Sequence, residues 1–99
     1  MKGRSIVESQ SNQIAKAVGE AALYEQLAEE ATELAQACLK KARKIRGENP
    51  TPLLMCKIDC MITEEYSDVC LCADILDLNV SYDVYESKKS RWLDRIKNA

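Results

Sequence analysis

The sequence predicts an all-α chain folded as a four-helix bundle or a piece of one. Apolar residues recur at helical spacing over long stretches, only three Gly and two Pro interrupt the 99 residues, and Ala, Leu, Glu and Lys are abundant. No run of two-residue alternation is long enough to argue for a sheet. The length supports one domain, spanning residues 1–99, with a modest core that gains from self-association.

Four helices follow in order. The first covers residues 4–18 and is weak, being rich in Ser, Gln and Asn, and Gly19 ends it with a bend or a short break. The second, over 21–46, is the strongest: Leu23, Leu27, Ala31, Leu34, Cys38, Ala42 and Ile45 keep helical spacing throughout. It finishes in Lys40, Lys41, Arg43, Lys44 and Arg46, cations that suit the negative end of a helix dipole. Gly47 is a natural stop, and the prolines of "GENPTP" prevent continuation. A third helix begins at 55 or 58 and runs to 77, with Ile58, Ile62, Val69, Cys72 and Leu76 as its stripe. After "LNVS", with Ser81 as N-cap, the fourth occupies 82–97 and carries Tyr85, Trp92, Leu93 and Ile96 on one side. Short loops make neighbouring helices antiparallel.

Composition excludes several functions. Fourteen basic against sixteen acidic residues give a net charge of −2, so the sequence-independent grip of a basic domain on nucleic-acid polymers is not expected. No apolar run approaches the roughly 18 residues that span a membrane. "MKGRSIVESQS" has two basic residues without a following apolar block, so no secretory signal is expected. The five cysteines (Cys38, Cys56, Cys60, Cys70 and Cys72) are odd in number, which points to a reduced, cytoplasmic protein. With no C-x-x-C pair and no histidine, they read as small buried hydrophobes and not as zinc ligands.

The stripes of helices two and three share one interruption. Filling the seven-residue gap between Leu27 and Leu34 puts Glu30 in the seam; filling that between Ile62 and Val69 puts Glu65 there. Each has a carboxylate three residues on, Glu33 and Asp68, on the adjoining flank. An antiparallel bundle brings E-x-x-E and E-x-x-D together. Four converging carboxylates cannot stay ionised and unpaired, because desolvation costs several kcal/mol per ion and repulsion adds to it. Almost no basic side chain shares these seams, so a hard divalent cation fits best. Its all-oxygen ligands would select magnesium, manganese or calcium over zinc.

These segments resemble the MazG-like superfamily of all-alpha nucleoside triphosphate pyrophosphohydrolases, particularly its small phage and bacterial members. The likeness runs from Leu23 to the end, through "YEQLAEEATELAQACLKKARKIRGENPTP", "ITEEYSDVCLCADIL" and "KKSRWLDRI". It implies a MazG-type fold assembled as a homodimer or homotetramer, with the substrate pocket near the subunit interface. It implies hydrolysis of the α–β phosphoanhydride of an NTP or dNTP to the monophosphate and pyrophosphate. Magnesium, with manganese as an alternative, would be held by Glu30, Glu33, Glu65 and Asp68. A K-x-x-R-x-x-x-R pattern on the last helix, matched by Lys88, Arg91 and Arg95, would contact substrate phosphates. Those three lie at helical spacing on one face, as convergence on phosphates requires.

The proton acceptor is one of the motif glutamates, or Glu29 or Glu64. Tyr24, Tyr66 and Trp92 are open between stacking on a base and packing as core or interface aromatics. The thirty-one residues between Glu33 and Glu65 sit at or beyond the long end of the family spacing, the excess falling in "NPTPLLMCKIDCM". A non-enzymatic helical interaction or regulatory protein with a solvated acidic face is the competing reading.

Overall fold

The computed structural model of the chain describes residues 8–48 and 52–99, which form four α-helices with no strand among the described residues. They are α1 (Gln10–Val18), α2 (Glu20–Arg46), α3 (Met55–Ile75) and α4 (Tyr82–Lys97). Expectations for residues 4–7 of the first helix and for 49–51 of the connecting loop lie outside the described residues. No described helix is long and apolar enough to cross a membrane.

Local chemistry sets the helix ends. Ser9 Oγ accepts from the Asn12 N–H at 3.1 Å and caps α1. Gly19 separates α1 from α2 with φ +92° and ψ 152°. A Cβ there would meet nothing within 4 Å, so the glycine answers a backbone requirement and not a lack of space. Gly47 ends α2 at φ +72°, while Glu48 N–H donates to Arg43 O at 3.1 Å and Gly47 N–H to Lys44 O at 3.3 Å, the paired bonds of a Schellman motif. The end of α3 repeats that motif with Leu78 N–H to Ala73 O at 2.9 Å and Asp77 N–H to Asp74 O at 3.0 Å. Here Asp77, at φ +58°, occupies the left-handed position usually given to glycine. Ser81 Oγ then caps α4 by accepting from the Val84 N–H at 3.4 Å.

α2 and α3 form an antiparallel hairpin. Leu23 lies beside Ile75 and Leu76, Glu33 meets Glu65, and Lys41 pairs with Asp59, so partners on α3 fall in number as those on α2 rise. The seam follows alternating steps of four and three. On α2 it runs Leu23, Leu27, Glu30, Leu34, Ala37, Lys41 and Lys44; on α3 it runs Ile58, Ile62, Glu65, Val69, Cys72 and Leu76. Leu23, Ala37, Ile58 and Cys72 are buried, and Ile58 is wholly enclosed. α1 packs across one end of the hairpin against both helices.

Three expectations need correction. Ala31, Cys38 and Ile45 are exposed, and Glu30, Ala37, Lys41 and Lys44 occupy the α2 seam in their stead. Steps of four drift steadily round a helix, whereas two packed helices keep an average near 3.5. Among the cysteines only Cys72 is buried, Cys70 is half-buried, and Cys38, Cys56 and Cys60 are exposed. Cys56 and Cys60 stand two residues either side of Ile58, which turns them away from α2. Finally, the bundle does not close within one chain, because α4 touches none of the other helices and every residue in it is exposed. The molecule accordingly measures 62 × 37 × 26 Å with a radius of gyration of 19.0 Å. A compact chain of this length has about 13 Å.

Truncating the enclosed seam residue, Ile58→Ala, is expected to lower stability by about 2–5 kcal/mol in urea unfolding. Gly19→Ala should cost about 1–3 kcal/mol, because alanine must adopt a backbone conformation close to glycine-only.

Candidate metal centre

Midway along the hairpin the apolar seam gives way to carboxylates. Leu27 and Leu34 bracket Glu30 on α2, and Ile62 and Val69 bracket Glu65 on α3, so both glutamates are half-buried although their helices are amphipathic. The antiparallel register puts them in the same layer. Carboxylate oxygens of Glu30, Glu33 and Glu65 all lie within 4.8 Å of one another, with Glu33 on the exposed rim. Asp68, half-buried one turn along α3 from Glu65, faces Glu30. The structure therefore brings together all four carboxylates singled out in the sequence, three as a tight group and Asp68 against Glu30.

Their electrostatics are strained. Burial, followed by the facing Glu33 and Glu30 carboxylates, pushes the Glu65 carboxyl from an ordinary 4.5 up to about 7. Burial and then Glu30 raise Asp68 in the same direction. The Cys72 thiol, one turn further along α3, is raised by burial and then by Glu30 and Asp68. One oxygen of each seam glutamate, Glu30 Oε2 and Glu65 Oε2, is shut off from water and meets no hydrogen-bond donor. No Lys or Arg among the described residues forms an ion pair with any of the four.

Two unsatisfied buried oxygens within a convergent all-carboxylate group are the donor set a hard divalent cation requires. Magnesium, manganese and calcium fit it, and a soft thiolate-seeking metal does not. Sequence reasoning missed Gln26, whose Nε2 donates to Glu30 Oε1 at 2.8 Å. Its place one turn before Glu30, at i and i+4, permits the contact without singling it out. This bond fixes one Glu30 oxygen and leaves the other directed into the cluster, the way an outer partner orients a metal ligand.

Other residues named from the sequence stand apart. Glu29 and Glu64 are exposed beside the cluster and not in it. Lys88, Arg91 and Arg95 are exposed on α4, so one chain does not bring them to the carboxylates. Tyr24, Tyr66 and Trp92 are also exposed, and Tyr66 lies against Cys70, which raises its hydroxyl above the ordinary range.

Comparison with family models, curated proteins and solved structures finds no match to this chain. The functional reading therefore rests on the geometry of the carboxylates and on the likeness of their motifs.

A carboxyl whose folded value lies above its unfolded one binds protons on folding. Its contribution to stability is unimpaired below about pH 4.5 and is lost as pH rises to about 7. Raised Asp68 acts in the same sense. In chelator-treated protein the melting temperature should therefore be higher near pH 5 than near pH 8. A divalent cation should stabilise more near pH 8, where it holds the carboxylates ionised at no repulsive cost.

Proposed function

We propose that the chain is a magnesium-dependent nucleoside triphosphate pyrophosphohydrolase of the MazG-like kind, acting as a homo-oligomer. The observation that carries this reading is the meeting of Glu30, Glu33 and Glu65, with Asp68 alongside, in a seam that should otherwise be apolar. A binding protein with a solvated acidic face would leave these groups on the outside of the helices. Half-burial of Glu30, Glu65 and Asp68, with two of their oxygens unsatisfied, argues against it.

Glu30, Glu33, Glu65 and Asp68 would hold the metal, with manganese as an alternative ion. Bound there, it would offset the repulsion between acid cluster and polyphosphate and stabilise charge on the departing pyrophosphate. The chain's own contribution is positional. Gln26 orients Glu30, the flanking leucine and β-branched residues exclude water from the inner side, and the exposed rim at Glu33 leaves an approach for substrate. Hydrolysis adds one water across the α–β bridge, giving a nucleoside monophosphate and pyrophosphate. The proton released by that water goes to a carboxylate of the cluster or to Glu29 or Glu64 beside it. Lys88, Arg91 and Arg95 supply the cations for phosphate oxygens.

Millimolar magnesium is expected to raise the melting temperature, and Glu65→Gln to abolish the increase while leaving the helical signal intact. Gln26→Ala should weaken magnesium binding about 10-fold through loss of Glu30 orientation. Pyrophosphate release measured over a panel of canonical and modified NTPs and dNTPs tests the activity. Melting indifferent to magnesium would overturn the metal site. Binding without release from any nucleotide would leave a metal-binding regulator in place of the enzyme.

A further inference from the structure

Two of the exposed thiols stand together. Cys56 and Cys60 lie one helical turn apart near the start of α3, on the side turned away from α2. Both are free and exposed, so neither core packing nor a disulfide accounts for them. Side chains at this spacing have Cβ atoms about 5–6 Å apart. A disulfide spans about 3.5–4.5 Å between Cβ atoms, so the pair does not close on itself while the helix holds. An ion placed between the sulfurs does close it, because two metal–thiolate bonds of about 2.3 Å set in line hold the sulfurs about 4.6 Å apart.

The surroundings select the kind of ion. Asp59, between the two thiols in sequence, is engaged in its ion pair with Lys41. Glu64, one turn beyond Cys60, is a hard oxygen donor that a soft ion does not seek. The chain has no histidine, and Cys38 belongs to α2. Two thiolates without further nitrogen or sulfur donors do not make the four-coordinate site that structural zinc takes. They suit a soft monovalent ion, which thiolates favour and which two sulfurs alone satisfy. Two thiolates around one such ion carry a single net negative charge, and the chain sets positive charge beside it. Lys57, next to Cys56 and three residues before Cys60, forms no ion pair among the described residues. Cys56 also lies in the first turn of the 21-residue α3, at the positive end of its dipole.

We propose that Cys56 and Cys60 form a two-thiolate site for a soft monovalent cation, copper(I), on the outer face of α3. Binding forms two copper–sulfur bonds and releases the two thiol protons to solvent; supplied as copper(I), the ion keeps its oxidation state. The site is separate from the carboxylates, since Glu65 faces α2 from the opposite side of the same helix. It involves neither magnesium nor nucleotide, so this proposal and the enzymatic reading stand or fall separately.

The test offers reduced, full-length protein copper(I) under oxygen-free conditions, in competition with a coloured chelator. One ion should be taken up per chain. Cys56→Ser and Cys60→Ser should each weaken uptake by about 100-fold or more, the loss expected when one of two linked attachments is removed. Cys38→Ser, at an exposed thiol without a partner on its helix, should leave uptake unchanged. Both serine variants should keep the helical signal of the parent, because they replace exposed side chains. Copper should also shield Cys56 and Cys60 together from iodoacetamide; trypsin, cleaving after Lys57, delivers them on separate peptides for mass spectrometry. X-ray absorption should find two sulfurs around the metal. Uptake undiminished in either of the two serine variants, an equal loss in Cys38→Ser, shielding of only one thiol, or one ion shared by two chains would each overturn the proposal.

Discussion

Everything about this protein turns on two carboxylates facing each other across a helix seam. Glu30 and Glu65 occupy positions that the four-three rhythm of α2 and α3 reserves for apolar side chains. The hairpin is held elsewhere by Leu23, Ala37, Ile58 and Cys72, so the helices cannot separate to relieve the contact without exposing the apolar layers on either side. Burial first, and repulsion after it, is thereby registered as altered proton affinity in the elevation of Glu65 and Asp68. A packed scaffold that enforces proximity between like charges is what distinguishes a site from an acidic surface.

Rigidity and placement are linked in the same way. Side chains on facing helices are positioned by the backbone more tightly than loop residues are. Gln26 adds a fixed hydrogen bond on the α2 side, so Glu30 has one oxygen engaged and one directed inward. Glu33, exposed at the rim, links the half-buried pair to solvent. The cluster thus grades from enclosed to open, with Glu30 and Glu65 on the inner side and Glu33 on the outer.

Much of this was legible in the sequence, and the reasons differ by residue. Glu30 and Glu65 stood out because a missing apolar step within a regular stripe is a local signal, repeated on two helices. Gly47 and Ser81 were legible because left-handed ends and N-caps have strong residue preferences. Gln26 was not, since an i, i+4 amide–carboxylate pair is common on any solvated helix. Cys38 and Ile45 were misplaced because four-residue steps mimic a stripe over one or two turns and leave the seam over three. Detachment of α4 was not legible either: its amphipathic pattern says that a face must be covered, and says nothing of which chain covers it. The turn that directs it depends on Asp77 taking a glycine-like conformation, which aspartate does without announcing it.

The exposed apolar surface bears on the same question from the other side. α3 carries Ile58, Ile62 and Val69 in its seam, Met61, Leu71 and Ile75 on one flank, and Met55, Tyr66 and Cys70 on the other. A helix apolar around so much of its circumference is only partly covered here, by α2 along one side and by α1 at one end. The protomer also places four carboxylates where a small core would normally gain stability, leaving just four buried apolar side chains among the described residues. A short chain with a polar seam therefore has two deficits, uncovered apolar area and uncompensated negative charge. α4 carries both an apolar row and a basic row, so in kind it matches both deficits, yet it does not reach its own hairpin.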